Sequence, residues 1–453
     1  MAGIWEGYLT VNATRTVHVV VKIRKDDKEG WISTLDDPDR NVKGVPCDLT
    51  TQTGDSILIS VAIAKAKYEA KYITASDSMT GFWTQGKFHA PLTLKKVEHV
   101  TQLIRPQTPL PPYNYITEDI EYDNPDKSVH FGATFTKPYG PGKFPVALLI
   151  TGSGQQDRDE TILSHKPFAV IANYLTLRGV AVLRVDDRGM GKTKGDLSKA
   201  TSKDFAQDAM ASLDYLKTRQ DIDTQKIGLI GHSEGGMIAP MIATQRKDVA
   251  FIVMLAGPGI KIIDAMTLQN IDLIKSAGVS PKEAETYGTF YKKLVQTLLE
   301  EKLAAAATGK ATDLIKAWQK EVGDTLVLHT TGITDGVTMN NYINAMVTTI
   351  KNPWYDFFLR YDPTPNLQKL QIPILALNGA KDLQVASQPN LTAIQLALTK
   401  AGNKDVTTQE LPNLNHLFQT CKKCTIAEYG ELQETFSPDA LKIMGDWISQ
   451  RVK

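Results

Sequence analysis

The chain has few cysteines, no surplus of charge and no long apolar run, and each of these lacks narrows what it can be. Three cysteines in 453 residues cannot make a disulfide framework. Cys421 and Cys424 form one C-x-x-C pair, with Cys47 far away. A single pair lacks the other half of a zinc site, so no metal is expected, and both a local disulfide and two free thiols remain open. Lysines and arginines number 51 against 50 acids, a formal net charge of +1. Nothing in that balance steers the protein toward nucleic acid or an anionic membrane. The longest apolar stretches, such as Phe251 to Ala256, are far too short to span a bilayer. No leader precedes Ile4 and Trp5, which read as a first strand. Two compartments are left open: cytoplasmic as written, or periplasmic or secreted if a signal peptide has been removed.

What is present reads as more than one globular domain, with 42% apolar and 22% charged residues. Residues 1 to 104 hold short β-branched and aromatic runs, among them Thr16 to Ile23, Ser56 to Ala62, Tyr68 to Ile73 and Pro91 to Val97. Turn-prone clusters such as Asp36-Asp37-Pro38-Asp39 and Ser76-Asp77-Ser78 separate them. That spacing predicts a small antiparallel barrel or sandwich. Residues 105 to 115 follow, with four prolines between Arg105 and Pro112, and predict a stiff extended linker. From residue 116 strands and helices alternate, and the strands at Pro145 to Ile150, Val180 to Val185, Lys226 to Ile230 and Val249 to Leu255 are nearly all apolar. Such strands predict a mostly parallel, doubly wound sheet covered on both faces. Residues 260 to 365 interrupt the rhythm with helical composition, and the alternation resumes over 366 to 453. The pattern therefore predicts a helical cap inserted into an α/β catalytic domain formed by 116 to 259 and 366 to 453.

The strongest local signal is Gly231-His232-Ser233-Glu234-Gly235, directly after one apolar strand and before a helix. A sharp strand-to-helix turn holds a serine in strain, lifts its hydroxyl above the sheet, and needs small neighbours. Ser233 is thus the candidate nucleophile. A serine needs a base, and His416 lies beyond the carboxyl end of the strand Val406 to Leu411, the edge that also carries Ser233. His232 adjoins the serine, but its side chain should point elsewhere. The base needs a carboxylate, and Asp382 follows the strand Ile372 to Leu377, whereas Asp405 precedes its strand. The order Ser233, Asp382, His416 is that of α/β-hydrolases. An oxyanion hole is also required, and Thr151-Gly152-Ser153-Gly154 follows the first central strand. The backbone N–H of Ser153 or Gly154 supplies one donor and that of Glu234 the other; Ser153 is taken as the first. A dinucleotide loop would need glycine at Asp157, and a phosphate loop would need it at Asp186.

On these motifs the chain resembles the bacterial two-domain serine carboxylesterases of the α/β-hydrolase superfamily. The resemblance runs from Trp5 and Gly7 through Asp157-Arg158-Asp159, Val185-Asp186-Asp187-Arg188-Gly189-Met190-Gly191 and Asn352-Pro353-Trp354. It continues to Tyr361-Asp362-Pro363 and Asn415-His416-Leu417-Phe418. It implies a Ser233, Asp382, His416 triad, a helical cap, and cleavage of a small-molecule carboxylic ester with no cofactor. Arg158 and Arg188 match positions that brace loops. Trp354, Tyr355, Phe357 and Phe358 are candidates for either a pocket wall or hinge packing. Two rival expectations stand beside this one. An aminopeptidase or other amide hydrolase would use the same triad with cap acids such as Glu283, Glu285 or Asp324, and a non-catalytic protein would keep the fold only to bind. Oligomeric state is left open.

Overall fold

The computed structural model describes residues 1–12, 15–28, 30–38, 42–86, 88–101 and 105–453. The chain divides into two compact units. The first holds Met1–Pro106 together with Ile162–His165 and Thr425–Gln433, and the second holds the remainder.

The first unit is an antiparallel sheet of β1 (Gly3–Asn12), β2 (Arg15–Asp26), β3 (Gly30–Asp37), β4 (Val42–Cys47), β5 (Leu49–Thr53), β6 (Ser56–Val61), β7 (Ala66–Ile73), β8 (Ser78–Gln85) and β9 (Phe88–Val97). The order is β4-β3-β2-β1-β9-β8-β7-β6-β5. Its edges approach one another, because only Asp48 separates β4 from β5 and Ser33 of β3 meets Thr50 of β5 at 2.7 Å. A sheet that nearly closes leaves little edge exposed to mispairing. Period-two alternation sets its inside: Ala66, Tyr68 and Ala70 are buried while Lys67, Glu69 and Lys71 face solvent. Tyr68 satisfies its buried hydroxyl by donating to the carbonyls of Met79 and Leu92. Arg105 shows why two distant segments belong to this unit, since it donates to the carbonyls of Leu163, Gly430 and Leu432.

The second unit opens with β10 (Ile116–Asp123), β11 (His130–Lys137) and β12 (Phe144–Ile150). Then α1 (Pro167–Thr176), β13 (Ala181–Val185), α2 (Ser202–Thr218), β14 (Ile222–His232), α3 (Glu234–Ala243) and β15 (Val249–Leu255) alternate. Six helices follow: α4 (Ile262–Ser276), α5 (Pro281–Glu300), α6 (Ala304–Val322), α7 (Asp324–Thr331), α8 (Gly336–Ile350) and α9 (Pro353–Arg360). After α10 (Thr364–Leu367) come β16 (Ile374–Gly379), α11 (Ser387–Lys400), β17 (Val406–Leu411) and α12 (Pro438–Arg451). The sheet order is β10-β11-β13-β12-β14-β15-β16-β17. Pairings from β13 to β17 are parallel, whereas β10 and β11 run antiparallel at one edge.

Two apolar cores cover the sheet. One joins β12, β14 and α2 through Leu148, Leu229 and Leu213; the other joins β15, α1 and α12 through Phe251, Ile171 and Trp447. The inserted helices keep a core of their own, built on Phe290, Leu294 and Trp318. Phe290 and Trp318 stack with centroids 4.0 Å apart. The proline-rich stretch is anchored rather than free: the Gln107 side-chain oxygen accepts from the N–H groups of Thr435 and Phe436. Cys421 and Cys424 form a disulfide, and Cys47 is free and buried. Among the described residues, no helix is long and apolar enough to cross a membrane.

Candidate active site

Strand β14 ends in the glycine-rich turn that begins α3. Ser233 caps α3 with φ 51° and ψ −115°, a conformation a side chain pays for in strain. The surroundings force it. A Cβ on Gly231 would lie 2.0 Å from the Gly235 carbonyl oxygen, and one on Gly235 would lie 2.1 Å from that of Ile150. Neither position accepts any other residue. The Ser233 N–H donates to Leu255 O at 2.8 Å, which fastens the turn to β15. Ser233 stays partly exposed while both of its neighbours are buried.

Asp382 follows β16, and its side chain is fully buried. One carboxylate oxygen accepts from the N–H groups of Gln384 (2.7 Å) and Val385 (2.9 Å). The other lies 2.8 Å from Nδ1 of the buried His416, beyond β17. With Nδ1–H donating to that oxygen, Nε2 is left to present its lone pair. Among the described residues no hydrogen bond joins His416 Nε2 to Ser233 Oγ. The structure thus brings Asp382 and His416 into direct contact and holds Ser233 on the adjoining turn.

The loop after β12 runs beside the serine, since a Cβ on Gly152 would lie 3.2 Å from Ser233 Cβ. The Gly152 N–H is already occupied, donating to Glu160 Oε1 at 2.6 Å. Ser153 is therefore the next backbone donor along the loop. Behind it the Glu234 carboxyl accepts from Ser202 Oγ (2.6 Å) and Trp354 Nε1 (3.0 Å). Burial pushes the Glu234 carboxyl up, against these bonds. Asp187 ties the loop from below, accepting from Thr151 Oγ1 and from the Gln156 N–H at 2.8 Å each. Burial raises the Asp187 carboxyl to about 8. Arg158 is paired with Asp186 and Arg188 forks onto Asp208, so both arginines tie loops together.

Sequence reasoning missed two groups here. His232 does point away from the serine's open side, but into a buried network: Nδ1 lies 2.9 Å from Glu160 and Nε2 lies 3.0 Å from the His416 carbonyl. Its ring centroid is 4.9 Å from that of His416. The available signal for Glu160 was a run of charged residues, Asp157 to Glu160, directly after a glycine-rich loop. The aromatic group on α9 packs against apolar neighbours: Trp354 stacks on Phe358, and Trp354, Tyr355 and Phe357 rest on the sheet's core.

A mostly parallel sheet with a strained serine after β14, an acid after β16 and a histidine after β17 has the architecture of the α/β-hydrolase fold. The family described as Hydrolase_4, serine aminopeptidase S33, matches residues 164–329. Esterase EstD of Thermotoga maritima is 25% identical over 372 residues, covering 81% of this chain and 76% of that protein. The putative hydrolase YtaP of Bacillus subtilis is 31% identical over 127 residues, 24% of this chain and 42% of its own. Among solved structures, a Pyrococcus furiosus esterase aligns with a TM-score of 0.45 and 13% identity, over 78% of this chain and 100% of its own. The family match and the Thermotoga relative support a hydrolase.

Proposed function

We propose that the protein is a serine carboxylesterase acting on small carboxylic esters, with Ser233 as nucleophile, His416 as base and Asp382 as its partner. The observation that carries this reading is the buried Asp382–His416 pair, which leaves Nε2 as an acceptor beside the strained serine turn. His416 Nε2 takes the Ser233 proton as Oγ bonds to the ester carbonyl carbon. The N–H groups of Ser153 and Glu234 receive the oxyanion. His416 then gives its proton to the departing alkoxide, and the alcohol leaves. Water attacks the acyl-serine by the same proton path and releases the acid. The esterase activity named for the Thermotoga relative supports an ester over other acyl substrates.

An amide-cleaving reading draws on the aminopeptidase description of the matched family. Of the acids named for it in the sequence, Glu283 caps its own helix through Ser280, and Glu285 and Asp324 are exposed. One acid that was not named is better placed. Asp272 on α4 is partly buried, and its carboxyl is raised by burial and by the negative charge of Asp382. The test is a fluorophosphonate probe with p-nitrophenyl esters of increasing acyl length and an aminoacyl p-nitroanilide. The expected result is labelling and ester turnover in the wild type, both lost in Ser233→Ala. Absence of labelling in the wild type would sink the serine mechanism. Anilide turnover exceeding ester turnover and lost in Asp272→Asn would favour the peptidase.

A further inference from the structure

We propose that Glu160 is a positioning residue that, through one carboxylate oxygen and the His232 ring, locks the oxyanion loop to the loop carrying the base. The inference rests on the esterase reading for its kinetic consequence but not for its geometry. Glu160 is 5% exposed and His232 6%. Oε1 of Glu160 faces both the Gly152 N–H (2.6 Å) and His232 Nδ1 (2.9 Å). On its far side the same ring reaches the His416 backbone oxygen at 3.0 Å. Three segments far apart in sequence meet in this chain of bonds: the loop after β12, the residue preceding the nucleophile, and the residue proposed as base. None of the bonds touches substrate, so the network acts through what it holds.

Donor and acceptor accounting defines its proton content. A carbonyl only accepts, so His232 Nε2 must carry a proton. Nδ1 faces an oxygen that already accepts from Gly152, and one further proton lies between Nδ1 and Oε1. Placed on nitrogen, it makes a buried imidazolium–carboxylate pair with two charge-assisted bonds. Burial opposes that charge, but the Glu160 carboxylate, the bond to His416 and the charge of Asp382 together raise the His232 pKa. Glu160, Asp382 and His416 are the titratable groups facing the ring. The sign follows. Below its raised pKa, His232 donates from both nitrogens and the link holds. As pH rises through that pKa, Nδ1 becomes an acceptor facing an acceptor, and the link is lost.

The experiment compares wild type, Glu160→Gln and Glu160→Ala on p-nitrophenyl acetate, alongside histidine NMR with His232→Gln identifying the His232 signal. A loop displaced by about 1 Å costs on the order of 10²-fold, so Glu160→Gln is expected to lower kcat by about that factor with KM nearly unchanged. The alkaline fall in activity should move to lower pH in the same variant. The His232 signal should titrate above the ordinary histidine range in the wild type and drop back in Glu160→Gln. If Glu160→Ala fails to fold, Glu160→Gln and the wild-type titration still decide. Wild-type kcat with an unmoved alkaline limb in Glu160→Gln would overturn the proposal, as would a wild-type His232 signal at or below the ordinary range. Failure of the esterase reading would show separately, as a wild type that neither labels nor turns over ester while the His232 titration stands.

Discussion

Two imidazole–carboxylate pairs sit side by side behind the Ser233 turn. They are nearly the same object. Asp382 meets His416 Nδ1 at 2.8 Å and Glu160 meets His232 Nδ1 at 2.9 Å. Both carboxylates are buried and both also accept backbone N–H bonds. What separates them is the second nitrogen. His232 Nε2 is spent on the His416 carbonyl, whereas His416 Nε2 carries no hydrogen bond among the described residues. A base must present a lone pair to its proton donor, and a brace must have both ends tied. In the proposed mechanism the same two side chains serve either role, and the partner of one atom decides which.

Substitutions can break that comparison at several strengths. The largest effect is expected from the pair with the free nitrogen: Asp382→Asn should lower kcat by roughly 10⁴-fold by losing the Nδ1–H tautomer. The equivalent change in the tied pair, Glu160→Gln, should cost about a hundredth of that loss, so steady-state kinetics of the two variants side by side measures how far base and brace differ. Equal losses would show that the pairs act as one unit. A middle-sized effect concerns stability and pH. With the Asp187 carboxyl raised to about 8, the folded protein keeps a proton that the unfolded chain loses near about 3.9. The group's contribution is complete below about pH 4 and lost as pH rises through 8. Thermal unfolding from pH 4 to 8 should therefore decline less steeply for Asp187→Asn than for the wild type. The smallest effect is expected at Trp354→Phe, which removes the indole bond to Glu234 and keeps the stack on Phe358. A loss of about 1 kcal/mol in stability and a few-fold in kcat follows from one such bond, read by denaturant titration and ester assay.

Much of the fold was legible because it is written in short-range patterns. Near-continuous apolar strands between helices marked the parallel sheet, and the loss of that rhythm after residue 260 marked the six inserted helices. Ser233 could be read from its glycines, whose missing Cβ atoms the structure accounts for at 2.0 and 2.1 Å from backbone oxygens. The placing of Asp382 and His416 at one sheet edge followed from which end of a parallel strand each occupies. The proline-rich stretch was read as a stiff extended linker, a reading that composition invites. In the structure Arg105 and Gln107 bind backbone groups more than 320 residues away, which no local pattern encodes. The Cys421 and Cys424 spacing allowed two outcomes, and the fold closed the bond.

The sequence by itself determined that a strained serine follows a buried strand, and that an acid and a histidine follow later strands at the same sheet edge. Spacing along the chain carries such facts because a turn's steric demands fall on adjacent residues. Only the tertiary structure decided which histidine is tied and which is free. That choice rests on bonds spanning 72 and 184 residues, where donors and acceptors meet only after the sheet has formed.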